Sequence, residues 1–107
     1  MLELFRQIAR RRDLGEKVAL ATIVRAKGST PRELGAKMAV TQDGTVLGTI
    51  GGGYGEHEVW KVAKEVLLVG EPRMVRVELT SEVVTNEGAV CGGIMDVFVE
   101  PVGSSQT

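Results

Sequence analysis

The segment from Gly48 to Glu56, GTIGGGYGE, sets glycine at positions 48, 51, 52, 53 and 55 immediately before a stretch with helical periodicity. Glycine permits positive φ, so successive backbone N–H groups can turn into one concavity. The first turn of the following helix adds free N–H donors and a partial positive charge. Such a turn can hold a phosphate or another oxyanion. The spacing is not the G-x-G-x-x-G of dinucleotide folds, and no Gly-Lys-Ser/Thr follows as in a P-loop. Glu56 and Glu58 fall in the first helical turn and themselves suit the dipole, so they compete with any anionic ligand.

Two further glycine-bearing segments carry chemistry-capable side chains: KGSTPRELGAK (27–37) and GAVCGG (88–93). In the first, Ser29 and Thr30 bring hydroxyls, Pro31 pre-sets a turn, and Arg32 and Lys37 bring cations. Arg32 is the preferred oxyanion contact, because a guanidinium grips with two parallel bonds; its plain alternative is a surface charge paired with Glu33 or solvent. In the last, Cys91 stands among small residues. A lone cysteine is commonly an inert buried hydrophobe, but flanking glycines leave the thiol uncrowded and offer amides that lower its pKa. His57 is the only histidine. One Cys and one His cannot close a structural zinc site, and no third group is visible to orient a Cys–His nucleophilic pair. Each glycine segment taken singly also reads as a tight turn.

These segments must be positioned by regular elements. Leu2, Phe5, Ile8 and Ala9 recur at helical spacing, Arg10 to Arg12 follow where cations suit the dipole, and Gly15 is a stop. Lys17 to Arg25 is short, apolar and β-branched, like a strand covered on both faces. Ala36 to Thr41 and Thr45 to Thr49 flank Gln42-Asp43-Gly44, a tight hairpin. Val59, Val62, Ala63, Val66 and Leu67 form one helical face beside Trp60, a packing anchor, and Gly70 and Pro72 end that helix. Met74 to Leu79 alternates as a half-buried strand, a polar loop runs from Thr80 to Glu87, and Ile94 to Glu100 is the closing strand. The expected class is α+β: a mixed sheet of about five strands with two main helices, in the order α-β-β-β-α-β-β.

Composition narrows the function classes. The chain of 107 residues allows one domain, expected over 1–103, with 104–107 a disordered tail. Its size buries roughly two-thirds of the unfolded surface, enough for a core without staples. With 43% hydrophobic and 25% charged residues, a net charge of −1 and four aromatics, nothing in it points to a general nucleic-acid or membrane surface, and few rings are available to stack on bases. A single cysteine fits a reducing compartment, no apolar run spans a bilayer and no signal-peptide pattern is present, so the expected location is cytoplasmic.

Taken together and in order, ALATIVRAKGSTPRELGAKMAV, GTIGGGYGEHEV, GEPRMVRVELT and CGGIMDVFVEP resemble the N-terminal domain of the xanthine dehydrogenase accessory factor family (XdhC/CoxI), over residues 16–101. The resemblance implies a non-catalytic chaperone that binds the molybdenum cofactor, assists its sulfuration and inserts it into a molybdenum hydroxylase such as xanthine dehydrogenase or CO dehydrogenase. The cofactor, molybdopterin or its dinucleotide form, bears phosphate and a dithiolene. The implied cofactor-binding set is Ser29, Arg32, Gly51, Gly52, Gly53, Glu56, Cys91, Gly92 and Gly93, with Cys91 the soft contact to the metal. The implied partners are the hydroxylase apoenzyme and a cysteine desulfurase or a separate Rossmann-domain protein. Apart from the resemblance, an exposed strand edge or the face of the first helix is expected to pair two copies in a homodimer.

Two departures stand out. Family members often read G-G-G-C-[VI]-E, whereas here Tyr54 and Gly55 precede Glu56, removing one of two expected thiols. The family's usual C-terminal Rossmann-like domain is expected to be absent. Two other functions remain open on the residues: an interaction module whose glycine loops only shape the fold, and a small enzyme using Cys91 and His57.

Overall fold

The computed structural model describes residues 2–28, 34–51, 53–79 and 93–102. The elements are α1 (Leu2–Asp13), β1 (Val18–Lys27), β2 (Lys37–Thr41), β3 (Val46–Gly48), α2 (Gly53–Val69), β4 (Arg73–Leu79) and β5 (Gly93–Val102). The expected order α-β-β-β-α-β-β is therefore what forms. One sheet runs β3-β2-β1-β5-β4.

The sheet is wholly antiparallel rather than mixed. A helix between β3 and β4 suggested a crossover to a neighbouring parallel strand. Instead α2 carries the chain from one edge of the sheet to the other, and β5 returns to the centre between β4 and β1. β3 and β4 point the same way but never touch.

The strand period of two divides the sheet cleanly. Ala19, Ala21 and Ile23 of β1, Met38 and Val40 of β2, Val77 of β4 and Met95, Val97 and Val99 of β5 meet Val59, Ala63, Val66 and Leu67 of α2 in the main core. Branched aliphatics fit a pleated surface, and the 3.6-residue period of α2 lays its apolar stripe along it. On the other face α1 seats only Leu4 and Ile8, against Val18 and Ala39. The buried row of α1 is thus an i, i+4 pair, Ile8 from the expected row with Leu4 beside it, while Leu2 and Phe5 stay exposed. α1 packs chiefly on β1, β2 and β3, with Val102 at the end of β5 against the same cluster; among the described residues the β4 edge of this face stays open, with Met74 59% exposed.

Two local devices fix the ends. Gly15 has φ +85° and closes α1, its N–H bonding the Arg12 carbonyl. The hairpin loop Gln42-Asp43-Gly44 is closed by the Thr41 N–H on the Thr45 carbonyl at 2.9 Å, with Gly44 at φ +90°. Asp43 inside it accepts the hydroxyls of Thr41 and Thr45 and the Thr45 N–H. Those bonds, the Thr41 hydroxyl first, hold its carboxyl down at about 2.

β1 carries a β-bulge. Ile23 faces Val97, yet Arg25, not Val24, faces Asp96. The extra residue puts Arg25 and Lys27 on the α1 face and Ala26 against the α2 core.

Candidate functional site

β1 and β3 are both antiparallel to β2, and β5 is antiparallel to β1. The outgoing ends of β1 and β3 and the incoming end of β5 therefore share one end of the sheet. Gly28, the turn Thr49–Gly51 with Gly53, and Gly93 leave from that end. Of the nine residues in the expected cofactor set, Gly51, Gly53, Glu56 and Gly93 are placed there. Ser29, Arg32, Gly52, Cys91 and Gly92 lie outside the described residues, as do the Thr80–Glu87 loop and the tail.

The glycine turn has a definite internal structure. Gly51 takes φ +124° and Gly53 φ +64°, conformations closed to most side chains. Gly48, at φ +76°, also lets β3 pass close to its surroundings. A Cβ there would meet the Lys37 carbonyl oxygen at 3.0 Å and the Leu4 methyls at 3.4 Å.

Glu56 closes this turn from inside. Its carboxylate reaches back from the first turn of α2 to accept the Thr49 hydroxyl and, at 3.2 Å, the Ile50 N–H. The Thr49 hydroxyl oxygen in turn accepts the Gly51 N–H at 2.9 Å. A chain of hydrogen bonds so links helix start, threonine and glycine backbone. The carboxylate also supplies the negative charge that a helix N-terminus favours. Any oxyanion brought to the turn meets this internal competitor.

Beside the turn lies an open groove of about 380 Å³ lined by Val46, Gly53, Glu56, His57 and Trp60. His57 stacks on Trp60 with ring centroids 6.0 Å apart and planes at 12°. Trp60 donates its indole N–H to the Gly44 carbonyl at 3.0 Å and lies under the Lys64 ammonium, 5.6 Å from the ring centre. Trp60 therefore does anchor packing, tying the β2–β3 hairpin to α2, and it also walls the groove. The i, i+3 spacing of His57 and Trp60 was the signal for that pairing.

A second polar feature lies within the alternation of β5 and its neighbours. On the face away from α2, Asp96 is only 6% exposed and sits between two arginines from flanking strands. Arg76 donates Nε to Oδ1 at 3.0 Å and Nη2 to Oδ2 at 3.4 Å; Arg25 donates Nη1 to Oδ2 at 3.2 Å. The Arg76 hydrogen bonds hold the Asp96 carboxyl below its ordinary range, and Asp96 in turn raises Arg76. Among the described residues no group of three or more His, Cys, Asp or Glu could hold a metal, and no helix is long and apolar enough to cross a membrane.

The chain is 34% identical over 102 residues to the uncharacterized protein YqeB of Escherichia coli K12, covering 95% of this chain and 19% of that protein. It superposes with a TM-score of 0.78 and 30% identity on a crystal structure from Bacillus halodurans described as a xanthine dehydrogenase, covering 92% of this chain and 30% of that one. The chain thus spans less than a third of the length of each. The model of the XdhC and CoxI family matches residues 11–78, well over half of the sequence. With its motifs in order along this antiparallel sheet, the chain belongs to the XdhC and CoxI family.

Proposed function

We propose that this domain serves the maturation of a molybdenum hydroxylase by holding the molybdenum cofactor, transiently, at the glycine-bearing end of its sheet. Family membership supplies the link to that maturation. The observation that carries the reading is the shared end of the sheet, where Gly51, Gly53, the start of α2 and the leads into both other glycine segments lie together. In this reading the backbone of Gly51 and Gly53 and the N-terminus of α2 take phosphate. Cys91, with Gly52, Gly92 and Gly93 around the pocket, makes the soft contact, and Ser29 and Arg32 bind from the first loop. The bound group supplies the molybdenum and its sulfur chemistry; the chain binds, orients and releases it. Glu56 holds the turn in shape and weakens anion binding, which suits a carrier that must let go.

The hydroxylase apoenzyme is the receiving partner, a cysteine desulfurase or a separate Rossmann-domain protein the supporting one, and the cytoplasm the setting. Titration of the purified protein with molybdenum cofactor tests this, followed by absorbance and by protein fluorescence from Trp60. Saturable binding, lost in Gly51→Val and Cys91→Ala and tightened in Glu56→Gln, is expected. No binding by the wild-type protein, or equal binding by all variants, overturns the reading.

One observation favours a second reading, an interaction module that docks on an oxidoreductase without touching cofactor. Glu56 already satisfies donors of the turn, and Tyr54 stands where relatives often carry a thiol. Cofactor-independent binding to a molybdenum hydroxylase, unchanged in Gly51→Val, would select it.

A further inference from the structure

The two edges of the sheet differ in a way that points to a partner. β3 offers three residues and ends at Gly48, whose φ of +76° turns the chain off the sheet. Such an edge is too short to template another strand. β4 offers seven residues, RMVRVEL, and among the described residues nothing pairs with its outer side. Unpaired N–H and C=O groups along seven residues invite a further strand.

Symmetry and charge identify that strand. When two copies pair antiparallel about a two-fold axis normal to the sheet, opposed residues lie on the same face. The axis must then pass through a residue pair of like number. Centred on Arg76, the pairing sets Arg76 against Arg76, which like charge disfavours. Centred on Val75, it sets Met74 against Arg76 and leaves Glu78 without a counterpart in the strand. Centred on Val77, it sets Arg76 of each copy opposite Glu78 of the other, twice over.

Arg76 is already oriented for this. Its Nε and Nη2 are fixed on Asp96, Nη1 takes no part in those bonds, and the side chain stays 57% exposed. In this register the row on the open face reads Arg25, Asp96, Arg76 and then Glu78 of the other copy, with charge alternating across four strands. Both α2 helices fall on the opposite face of one continuous sheet.

We propose that β4 is a self-association edge on which a second copy of this chain adds its own β4 antiparallel, in the register that pairs Arg76 with Glu78 across the two-fold axis. The pairing is isologous, closes at two copies and joins two five-stranded sheets into one. It stands independently of cofactor binding.

Sedimentation of the full chain over a dilution series, with hydrogen exchange of the β4 amides, tests it. A reversible dimer is expected, weakened about tenfold by Glu78→Arg, which opposes like charges at two places. It is expected to weaken with added salt, and the β4 amides should gain protection as concentration rises. Glu78→Gln should weaken it less, and it is the variant to use if the arginine disturbs folding. A wild-type monomer at every concentration, a dimer indifferent to both Glu78 variants, or β4 amides whose exchange ignores concentration would each overturn the proposal.

Discussion

The two faces of the sheet are built on different principles. Towards α2, Ile23, Met38, Val40, Val97 and Val99 form an aliphatic floor at no more than 1% exposure, closed by one long helix. Towards α1, a short contact of Leu4 and Ile8 packs on one part of the face, and the rest carries an ion network: Arg25, Asp96 and Arg76 across three strands. One face draws its stability from apolar area withdrawn from water; the other keeps a solvated surface ordered by directional bonds. The contrast assigns the maintenance of the fold to the α2 face.

The largest effect that would test this contrast comes from the α2 face. Ile23→Ala removes a side chain 1% exposed and is expected to cost about 2–5 kcal/mol, read from urea unfolding. A loss under 1 kcal/mol would mean that this face is not the main core. On the α1 face Gly48→Val should cost roughly 1–2 kcal/mol, since a Cβ is strained at φ +76° and crowds the Lys37 carbonyl and Leu4. Removing the Leu4 methyls in the same protein should recover part of it.

The ionic half of the comparison is read by acid. Asp96 and Asp43 both have carboxyls lowered in the folded chain, so each contributes stability that is complete above the ordinary value of 3.8 and lost as pH falls below it. For Asp43 the loss runs down to about 2. Asp96→Asn and Asp43→Asn should each flatten the fall in Tm below pH 4; an unchanged slope in both would remove the charges from the account. Smallest of all, Met74→Lys on the uncovered face should shift the stability of the isolated chain by no more than about 0.5 kcal/mol, because Met74 is 59% exposed.

The same contrast explains what the sequence could reveal. Element order and the core face of α2 were legible because Val59, Ala63, Val66 and Leu67 repeat with a period that only one geometry satisfies. The turns at Gly15 and Gly44 were legible because each residue type answers a local backbone need. Strand direction was not, since a helix between two strands is compatible with parallel neighbours or with opposite edges, and only long-range packing chooses. Which side of α1 is covered was only partly legible, because Leu2, Leu4, Phe5 and Ile8 are all apolar and the sheet decides that Leu4 and Ile8 are buried. Asp96 was hidden because an alternating strand predicts an exposed acid there, and its two arginines come from positions 20 and 71 residues away. At the candidate site, the glycine spacing and the place of Glu56 in the first helical turn are legible as an anion cradle with an internal competitor, but the particular donors Glu56 takes, Thr49 and Ile50, belong to tertiary structure.

The bulge in β1 has a bearing on how this domain can be altered. Because β1 holds one residue more than its partner counts, excising Val24 would bring Arg25 next to Ile23 while every later side chain kept its side of the sheet. What would change is the bend with which β1 delivers Gly28 to the rim. A shortened chain of that kind would separate the protein's ability to stand from the aim of its first loop.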